Sequence, residues 1–230
     1  MSFIQAMAAD LQQAPSKSVP HVVFGTHPAI LSAIRTPAIT LAIWRRRTPE
    51  SFAGWIANVD LGAIEDLRFE TSVNMLQDDV RDGLREAGYP EHLAREALTD
   101  DIAALARQLA KIAEEDHVVI RLEVVEDDAC RRFHADYVTA RLITTYAGPG
   151  TQWLGQTDAA AHAAGAPSSA LAINCVSTGH VGLFKGRLWA PDTAIIHRSP
   201  PIAASGTRRL VLVINPGREE RVSQARQDTP

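Results

Sequence analysis

The hydrophobic pattern changes its period near His117, and this change constrains the fold more than any other feature of the chain. Before it, apolar residues recur at the three- to four-residue spacing of an amphipathic helix, as in Ile102, Leu105, Leu109 and Ile112. After it, HVVIRLEVVED alternates with the period of two that is typical of a strand with one buried face. The sequence therefore predicts an α+β chain whose helices come first and whose β portion starts near residue 117.

Short strand candidates follow that point in quick succession, each bounded by Gly, Pro, Asp or Ser. They are FHADYVTARLITTY (133–146), ALAINCV (170–176), HVGLFKG (180–186), TAIIHRS (193–199) and TRRLVLVIN (207–215). Because no helix is predicted between them, they favour an antiparallel sandwich or barrel over a parallel α/β sheet.

The first half is predicted to be mainly helical. A strand is expected within 38–46, Pro49 begins one helix, a second ends before Gly88, and Thr99 is a candidate N-cap for a third. The expected organisation is a flexible arm (1–20), a mainly helical part of the same domain (21–116), a β core (117–216) and a flexible tail (217–230).

Composition excludes several classes of protein. Of the 230 residues, 46% are hydrophobic and 22% charged, which is ordinary for a globular chain. Two cysteines cannot form a disulfide scaffold or a zinc site made of cysteines alone. Neither a membrane-spanning run nor a signal peptide is evident, so we expect a cytoplasmic protein that does not bind membranes.

Charge gives a weaker indication of the ligand. Residues 129–230 carry 11 basic and 6 acidic groups, which favours an anionic ligand such as a dicarboxylate. Basic and aromatic residues do not interleave as they do in nucleic-acid binders, so no nucleic-acid partner is expected. Nothing in the sequence identifies a small-molecule or protein substrate or sets the oligomeric state, although an oligomer is compatible with it.

The most informative constellation is His134, Asp136 and His197. In a strand, residues two apart share a face, so His134 and Asp136 can present an imidazole and a carboxylate to one ion. His197, on a later strand, can supply a third ligand. Such a set leaves coordination positions open and suits nonheme Fe(II). The alternative is that both histidines are ordinary strand residues and that Asp136 is a turn acceptor.

An arginine on the last strand extends the pattern. HxD, a distant histidine and then an arginine is an order that resembles the 2-oxoglutarate-dependent oxygenases, in which a basic residue pairs with the distal carboxylate of 2-oxoglutarate. Arg209 and Arg208 each share a face with apolar residues, so alternation alone does not choose between them.

Other residues are secondary candidates. Tyr146 is expected on the face of His134 and Asp136, where it could hydrogen-bond a bound carboxylate, whereas Arg141 is expected on the opposite face in a structural ion pair. His180 is a substitute metal ligand, and Cys130 would suit a zinc variant of the site. No GxSxG, GxxxxGK[ST], GxGxxG or HExxH motif is present.

Two segments resemble an uncharacterised bacterial family, domain of unknown function 1826. They are CRRFHADYVTARLITTYAGPGTQWL (130–154) and IIHRSPPIAASGTRRLVLVIN (195–215), with LFKG (183–186) between them. The likeness covers most of the chain and is sharpest over 117–215. The last strand of that family has the form RLVLVI, which implies that Arg209 is the functional arginine.

The family is distantly similar to the cupin-like oxygenases, which implies a double-stranded β-helix, or jelly roll, with N-terminal helices packed around it. It also implies Fe(II) and 2-oxoglutarate as cofactors of a dioxygenase that hydroxylates an unknown substrate. The proximity of its genes to those of metal-chaperone GTPases implies instead a non-catalytic zinc protein of metal homeostasis. The run Arg198–Pro201 departs from the oxygenase pattern, because it places a charge and two prolines directly after His197.

Overall fold

Residues 21–217, which the computed structural model describes, form ten strands and four α-helices. The strands are β1 Val22–Gly25, β2 Leu41–Trp44, β3 Leu67–Ser72, β4 His117–Val125, β5 Ala140–Ala147, β6 Gln152–Leu154, β7 Ile173–Cys175, β8 Val181–Lys185, β9 His197–Arg198 and β10 Arg209–Pro216. The α-helices are α1 Glu50–Ile56, α2 Leu76–Glu86, α3 Leu93–Ala113 and α4 Gln156–Ala163, and 3₁₀ turns span Pro28–Arg35, Ser168–Ala170 and Ala203–Ser205.

The strands form a large sheet and a small one. Seven strands make up the large sheet in the order β1-β2-β8-β5-β10-β4-β3, and all its pairs are antiparallel except β1 with β2. The small sheet has the order β7-β6-β9, and its pairs are antiparallel. An isolated bridge joins His134 to His197 and so lengthens the small sheet at the edge formed by β9.

Alternate residues of the large sheet enter two separate cores. Leu142, Leu212 and their neighbours of the same parity pack against α2 and α3 in the larger core. Ile143, Val211 and Val213 face the other way and pack with Trp153 of the small sheet. The large sheet is therefore the middle of three layers, with helices on one side and the small sheet on the other.

The α+β class and most of the predicted elements are present. The strand within 38–46 corresponds to β2, and the helices after Pro49 and before Gly88 correspond to α1 and α2. Gly88 has the positive φ of 81° that commonly ends a helix. The strand at 117 is β4, and 180–186 and 207–215 contain β8 and β10.

The predicted division into a helical half and a β half is too sharp. β1, β2 and β3 all precede residue 116, yet they form both edges of the large sheet. Strand β3 alternates apolar and charged residues only over residues 67–70, and an alternation of four residues is a weak strand signal. Helix α4, which lies between β6 and β7, was not predicted either.

Two boundaries differ from the predictions for local physical reasons. Helix α3 begins at Leu93, capped by His92, whose Nδ1 accepts the N–H of Ala94. Thr99 lies inside this helix, and its hydroxyl donates to the carbonyl of Arg95 instead of capping. The predicted strand 133–146 is regular only from Ala140.

The predicted arm, 1–20, and the predicted tail beyond residue 217 lie outside the described residues. Among residues 21–217, no helix is long and apolar enough to cross a lipid bilayer.

Candidate metal centre

A pair of backbone hydrogen bonds places His134 and His197 side by side. His134 N–H donates to the carbonyl of His197 at 3.0 Å, and His197 N–H donates back to that of His134 at 2.9 Å. Residues that exchange both bonds in an antiparallel pair project their side chains to the same side of the sheet. The two imidazole centroids accordingly lie 4.9 Å apart, although 63 residues of chain separate them.

Asp136 completes the cluster. Its Oδ2 lies 3.1 Å from His197 Nε2, and its Oδ1 lies 3.5 Å from His134 Nε2. One ligand atom from each of the three residues lies within 4.8 Å of the other two. His197 and Asp136 are largely buried, whereas 41% of the His134 side chain is exposed, so the cluster opens on the side of His134.

Backbone carbonyls fix the orientation of both rings. The Nδ1 atom of His134 lies 2.8 Å from the carbonyl oxygen of Arg132, and that of His197 lies 3.2 Å from the carbonyl oxygen of Ile195. Since a carbonyl oxygen can only accept, each Nδ1 carries a proton. In a neutral ring the lone pair is then on Nε2, which faces Asp136 in both residues. Metal-binding histidines are usually held in this way.

The carboxylate has an unsatisfied oxygen at the same point. Asp136 Oδ2 is buried, and no residue among 21–217 donates a hydrogen bond to it while both rings are neutral. Two imidazole lone pairs and an anionic oxygen that face one another repel unless a cation lies between them or a ring is protonated. The donor set therefore fits a divalent cation.

The charges of the cluster are strongly coupled. Burial opposes ionisation of Asp136, but hydrogen bonding to His134 and His197 and the charges of His197 and Arg141 outweigh it, so the pKa of this carboxyl is below its usual range. The hydrogen bond to this carboxylate in turn raises the pKa of the His134 imidazole. Without a metal, the cluster therefore shifts Asp136 toward its ionised form and His134 toward its protonated form.

A cavity of about 580 Å³ adjoins the cluster. His134 and His197 lie in its wall, and Ile143, Val211 and Val213 of the large sheet form an apolar floor. This volume is within the range of small-molecule sites, which are mostly apolar with a few placed polar groups.

Arg209 enters this cavity from the large sheet and is 1% exposed. Its Nε donates to the carbonyl of Pro149 at 2.6 Å, and its Nη1 donates to Ser199 Oγ at 3.0 Å. No carboxylate among residues 21–217 pairs with it. Burial lowers the pKa of Arg209 to about 10, so the guanidinium is still charged at neutral pH.

Arg208 and Tyr146 do not line the cavity. Arg208 is half exposed and pairs with Glu126 at 2.5 Å. Tyr146 faces the helices, where its hydroxyl donates to Asp101 Oδ2 at 2.7 Å. The prediction that Tyr146 shares a face with His134 and Asp136 is wrong, because regular alternation begins only at Ala140.

The same break in alternation brings Arg141 into the site. Its Nη1 lies 2.7 Å from Asp136 Oδ1, and it lines the cavity, contrary to its expected place on the opposite face. The ion pair that was predicted for Arg141 is present, but its predicted location is wrong. A turn signal between Asp136 and Ala140 could have revealed the break, and none is evident there.

The two substitute ligands lie outside the cluster. Cys130 is exposed in the cavity wall, and His180 is absent from that wall. Among the described residues, neither joins the group of atoms formed by His134, Asp136 and His197.

Comparison with family models gives one match. A model described as "Protein of unknown function (DUF1826)" matches residues 25–215. No curated protein matches the sequence.

Solved structures show low similarity. A prolyl-4-hydroxylase from Pseudomonas putida is 11% identical with a TM-score of 0.45, over 81% of this chain and 96% of the other. A putative oxygenase from Shewanella oneidensis is 10% identical with a TM-score of 0.44, over 85% of this chain and 89% of the other. A full-length Neurospora crassa protein, solved in complex with alpha-KG, is 13% identical with a TM-score of 0.40, over 81% of this chain and 76% of the other.

Proposed function

The chain belongs to the DUF1826 family, and we propose that it is an Fe(II)- and 2-oxoglutarate-dependent oxygenase. The observation that carries the proposal is the convergence of His134 Nε2, His197 Nε2 and the carboxylate of Asp136 beside a cavity that also contains Arg209. His134, Asp136 and His197 would hold the metal, and Arg209 would bind the distal carboxylate of 2-oxoglutarate.

The ligand set supports iron over a structural zinc ion. Two imidazoles and one carboxylate on one side of a metal leave positions for a co-substrate and O₂. A structural zinc site needs a fourth protein ligand, and residues 21–217 supply none at this cluster. The zinc alternative therefore has no specific observation in its favour.

The environment of Arg209 supports an anionic co-substrate. A buried guanidinium without a carboxylate partner is costly unless a ligand neutralises it. Ser199, which accepts a hydrogen bond from Arg209, is two residues after His197, and Arg209 and His197 line the same cavity. Bound Fe(II) and 2-oxoglutarate would supply oxidative decarboxylation and O₂ chemistry.

The chain itself would orient the reactants and limit access of water. The carbonyls of Arg132 and Ile195 fix the two imidazole rings, and the apolar floor of Ile143, Val211 and Val213 reduces the number of polar contacts available to water. Arg209 would set the direction in which a dicarboxylate lies across this floor.

We also propose that the two sheets correspond to the predicted double-stranded β-helix. The support is that the cavity is lined by both of them, with Arg209 on the large sheet and His197 on the small one.

Titration calorimetry under anaerobic conditions tests the metal assignment. Wild-type protein freed of metal should bind one Fe(II), and His134→Ala should lose this binding because one of three ligands is gone. His162→Ala is the matched control, since His162 packs on Phe133 beside the site but is outside the cluster. Equal Fe(II) binding by His134→Ala and wild type would refute the assignment.

The second titration, of 2-oxoglutarate into Fe(II)-loaded protein, tests the co-substrate. Arg209→Met should abolish binding, whereas Arg208→Met should bind like wild type because Arg208 points to Glu126. Formation of succinate in air is the corresponding activity measurement. If 2-oxoglutarate binds neither wild type nor variants while Fe(II) binds, the protein is a metal-binding protein and not this oxygenase.

A further inference from the structure

We infer that Arg141 is a positioning residue that holds Asp136 as a one-oxygen ligand of the metal, an inference that depends on the proposed metal site. Arg141 is neither a proposed metal ligand nor a proposed contact of 2-oxoglutarate. It would act only through the carboxylate of Asp136.

The two oxygens of Asp136 have different surroundings. Oδ1 lies 2.7 Å from Arg141 Nη1, the distance of a charge-assisted hydrogen bond. Oδ2 is buried, is not bound by any arginine or backbone N–H among the described residues, and lies at the convergence point with His197 Nε2. One oxygen is thus engaged by the protein, and the other remains free for a cation.

Arg141 is itself held at its other end. Its Nε donates to Asn215 Oδ1 at 2.9 Å, and Asn215 is 4% exposed. Arg141 is on β5 and Asn215 on β10, two neighbouring strands of the large sheet. The guanidinium therefore has little freedom to leave the carboxylate.

Asp136 needs such support because it is not in regular structure. The chain from Ala135 to Thr139 lies between an isolated bridge and the start of β5, so no strand geometry orients this carboxylate. Arg141 connects it to the central layer of the molecule. Ligands on irregular segments are commonly fixed by a second layer of hydrogen bonds.

This arrangement has a consequence for the metal. With Oδ1 held by Arg141, Asp136 would present Oδ2 to the metal, so the three residues would occupy three coordination positions. Without Arg141, the carboxylate could turn and bind through both oxygens, which would occupy one of the positions that a co-substrate needs.

Binding of Co(II) alone, followed by calorimetry and by its visible ligand-field spectrum, tests this role. Arg141→Met should weaken Co(II) binding about 10- to 100-fold, as losses of second-layer partners usually do. It should also change the spectrum, because the coordination of the carboxylate changes. A residue that only stabilises the fold would not alter the spectrum of the bound metal.

Arg121→Met is the matched control. Arg121 lines the same cavity, its side chain is 22% exposed against 18% for Arg141, and its ion-pair partner is Glu123 at 3.5 Å. This variant removes a similar charge from a similar place without touching Asp136. It should bind Co(II) with the affinity and spectrum of wild type, and a loss equal to that of Arg141→Met would overturn the inference.

Asn215→Leu tests the orientation of Arg141 separately from its charge. It also replaces Arg141→Met as the test if that variant does not fold. It removes the acceptor that holds Arg141 but leaves every charge near the metal unchanged, so it should shift affinity and spectrum in the same direction by a smaller factor. Wild-type values for Asn215→Leu and Arg141→Met would overturn the positioning role alone. Absence of Co(II) binding by wild type would instead overturn the proposed function.

Discussion

Two arginines that are largely buried on opposite faces of the large sheet have their charges balanced in different ways. On the helix face, Arg46 forms a two-pronged ion pair with Asp101, which also accepts from Tyr146. On the cavity face, Arg209 is also buried but contacts only neutral acceptors. The charge of Arg46 is neutralised by a carboxylate of the chain, whereas no carboxylate among residues 21–217 neutralises that of Arg209.

The difference shows which arginine has a structural role and which has room for a ligand. A buried pair whose partners satisfy each other gives no reason to expect a further anion. A buried guanidinium without a carboxylate partner is where the proposed anionic co-substrate would bind. Burial alone would not distinguish Arg46 from Arg209, whereas the identity of their partners does.

The largest expected loss of stability follows from a change on the helix face. Arg46→Met should lower the free energy of unfolding by about 3–5 kcal/mol, because it leaves the carboxylate of Asp101 buried without its cation. Urea denaturation followed by circular dichroism measures this loss. The double variant Arg46→Met/Asp101→Leu should recover much of the stability, and an unrecovered loss would contradict the ion-pair explanation.

A much smaller effect on stability is expected from Arg209→Met on the cavity face. The hydrogen bonds to Pro149 and Ser199 are lost, but so is the cost of burying an unpaired charge, so the free energy of unfolding should change by no more than about 1 kcal/mol. The same urea experiment applies. A loss of unfolding free energy as large as that of Arg46→Met would mean that Arg209 is a structural residue, and it would contradict the comparison of the two arginines.

The smallest expected loss of stability is at Asp128, and it depends on pH. Asp128 Oδ1 accepts the N–H groups of Ala203 at 3.1 Å and Ile202 at 2.8 Å, and these bonds lower the pKa of its carboxyl below the usual range. A lowered pKa gives stability that is complete above the unfolded-state value and is lost as pH falls through the folded-state value.

Asp128→Asn should therefore be less stable than wild type at pH 7. The difference in unfolding free energy between the two proteins should become smaller as the pH falls below about 4. The measurement is the unfolding free energy of wild type and Asp128→Asn above and below this pH. Asp127→Asn, a change at the neighbouring residue, is the control. A gap that stays constant with pH would show that the carboxylate charge has no part in these contacts.

The order of the elements and the identity of the three candidate ligands could be predicted from the sequence. Periodicity located β4, β8 and β10, because strands with one or two buried faces leave a strong local pattern. The spacing of His134 and Asp136 and the strand position of His197 were sufficient to group these residues.

Other parts of the site could not be predicted. Tyr146 was predicted on the side of the metal cluster and Arg141 on the opposite side, and the structure shows the reverse. Counting alternate residues is valid only within an uninterrupted strand, and the chain is irregular from Ala135 to Thr139. The edges formed by β1 and β3 were missed because edge strands with few apolar residues carry weak patterns and are selected by the neighbours with which they pair.

The sequence by itself therefore determined the chemistry available to this protein: two imidazoles, a carboxylate and a pair of adjacent arginines on strands of defined order. Only the tertiary structure decided which of these groups meet. The pairing of His134 with His197, the place of Arg209 in the cavity wall and the contact of Arg141 with Asp136 all depend on how separate segments of the chain pack together. Local propensity carries no information about such distances, because they arise from the packing of the two sheets against each other.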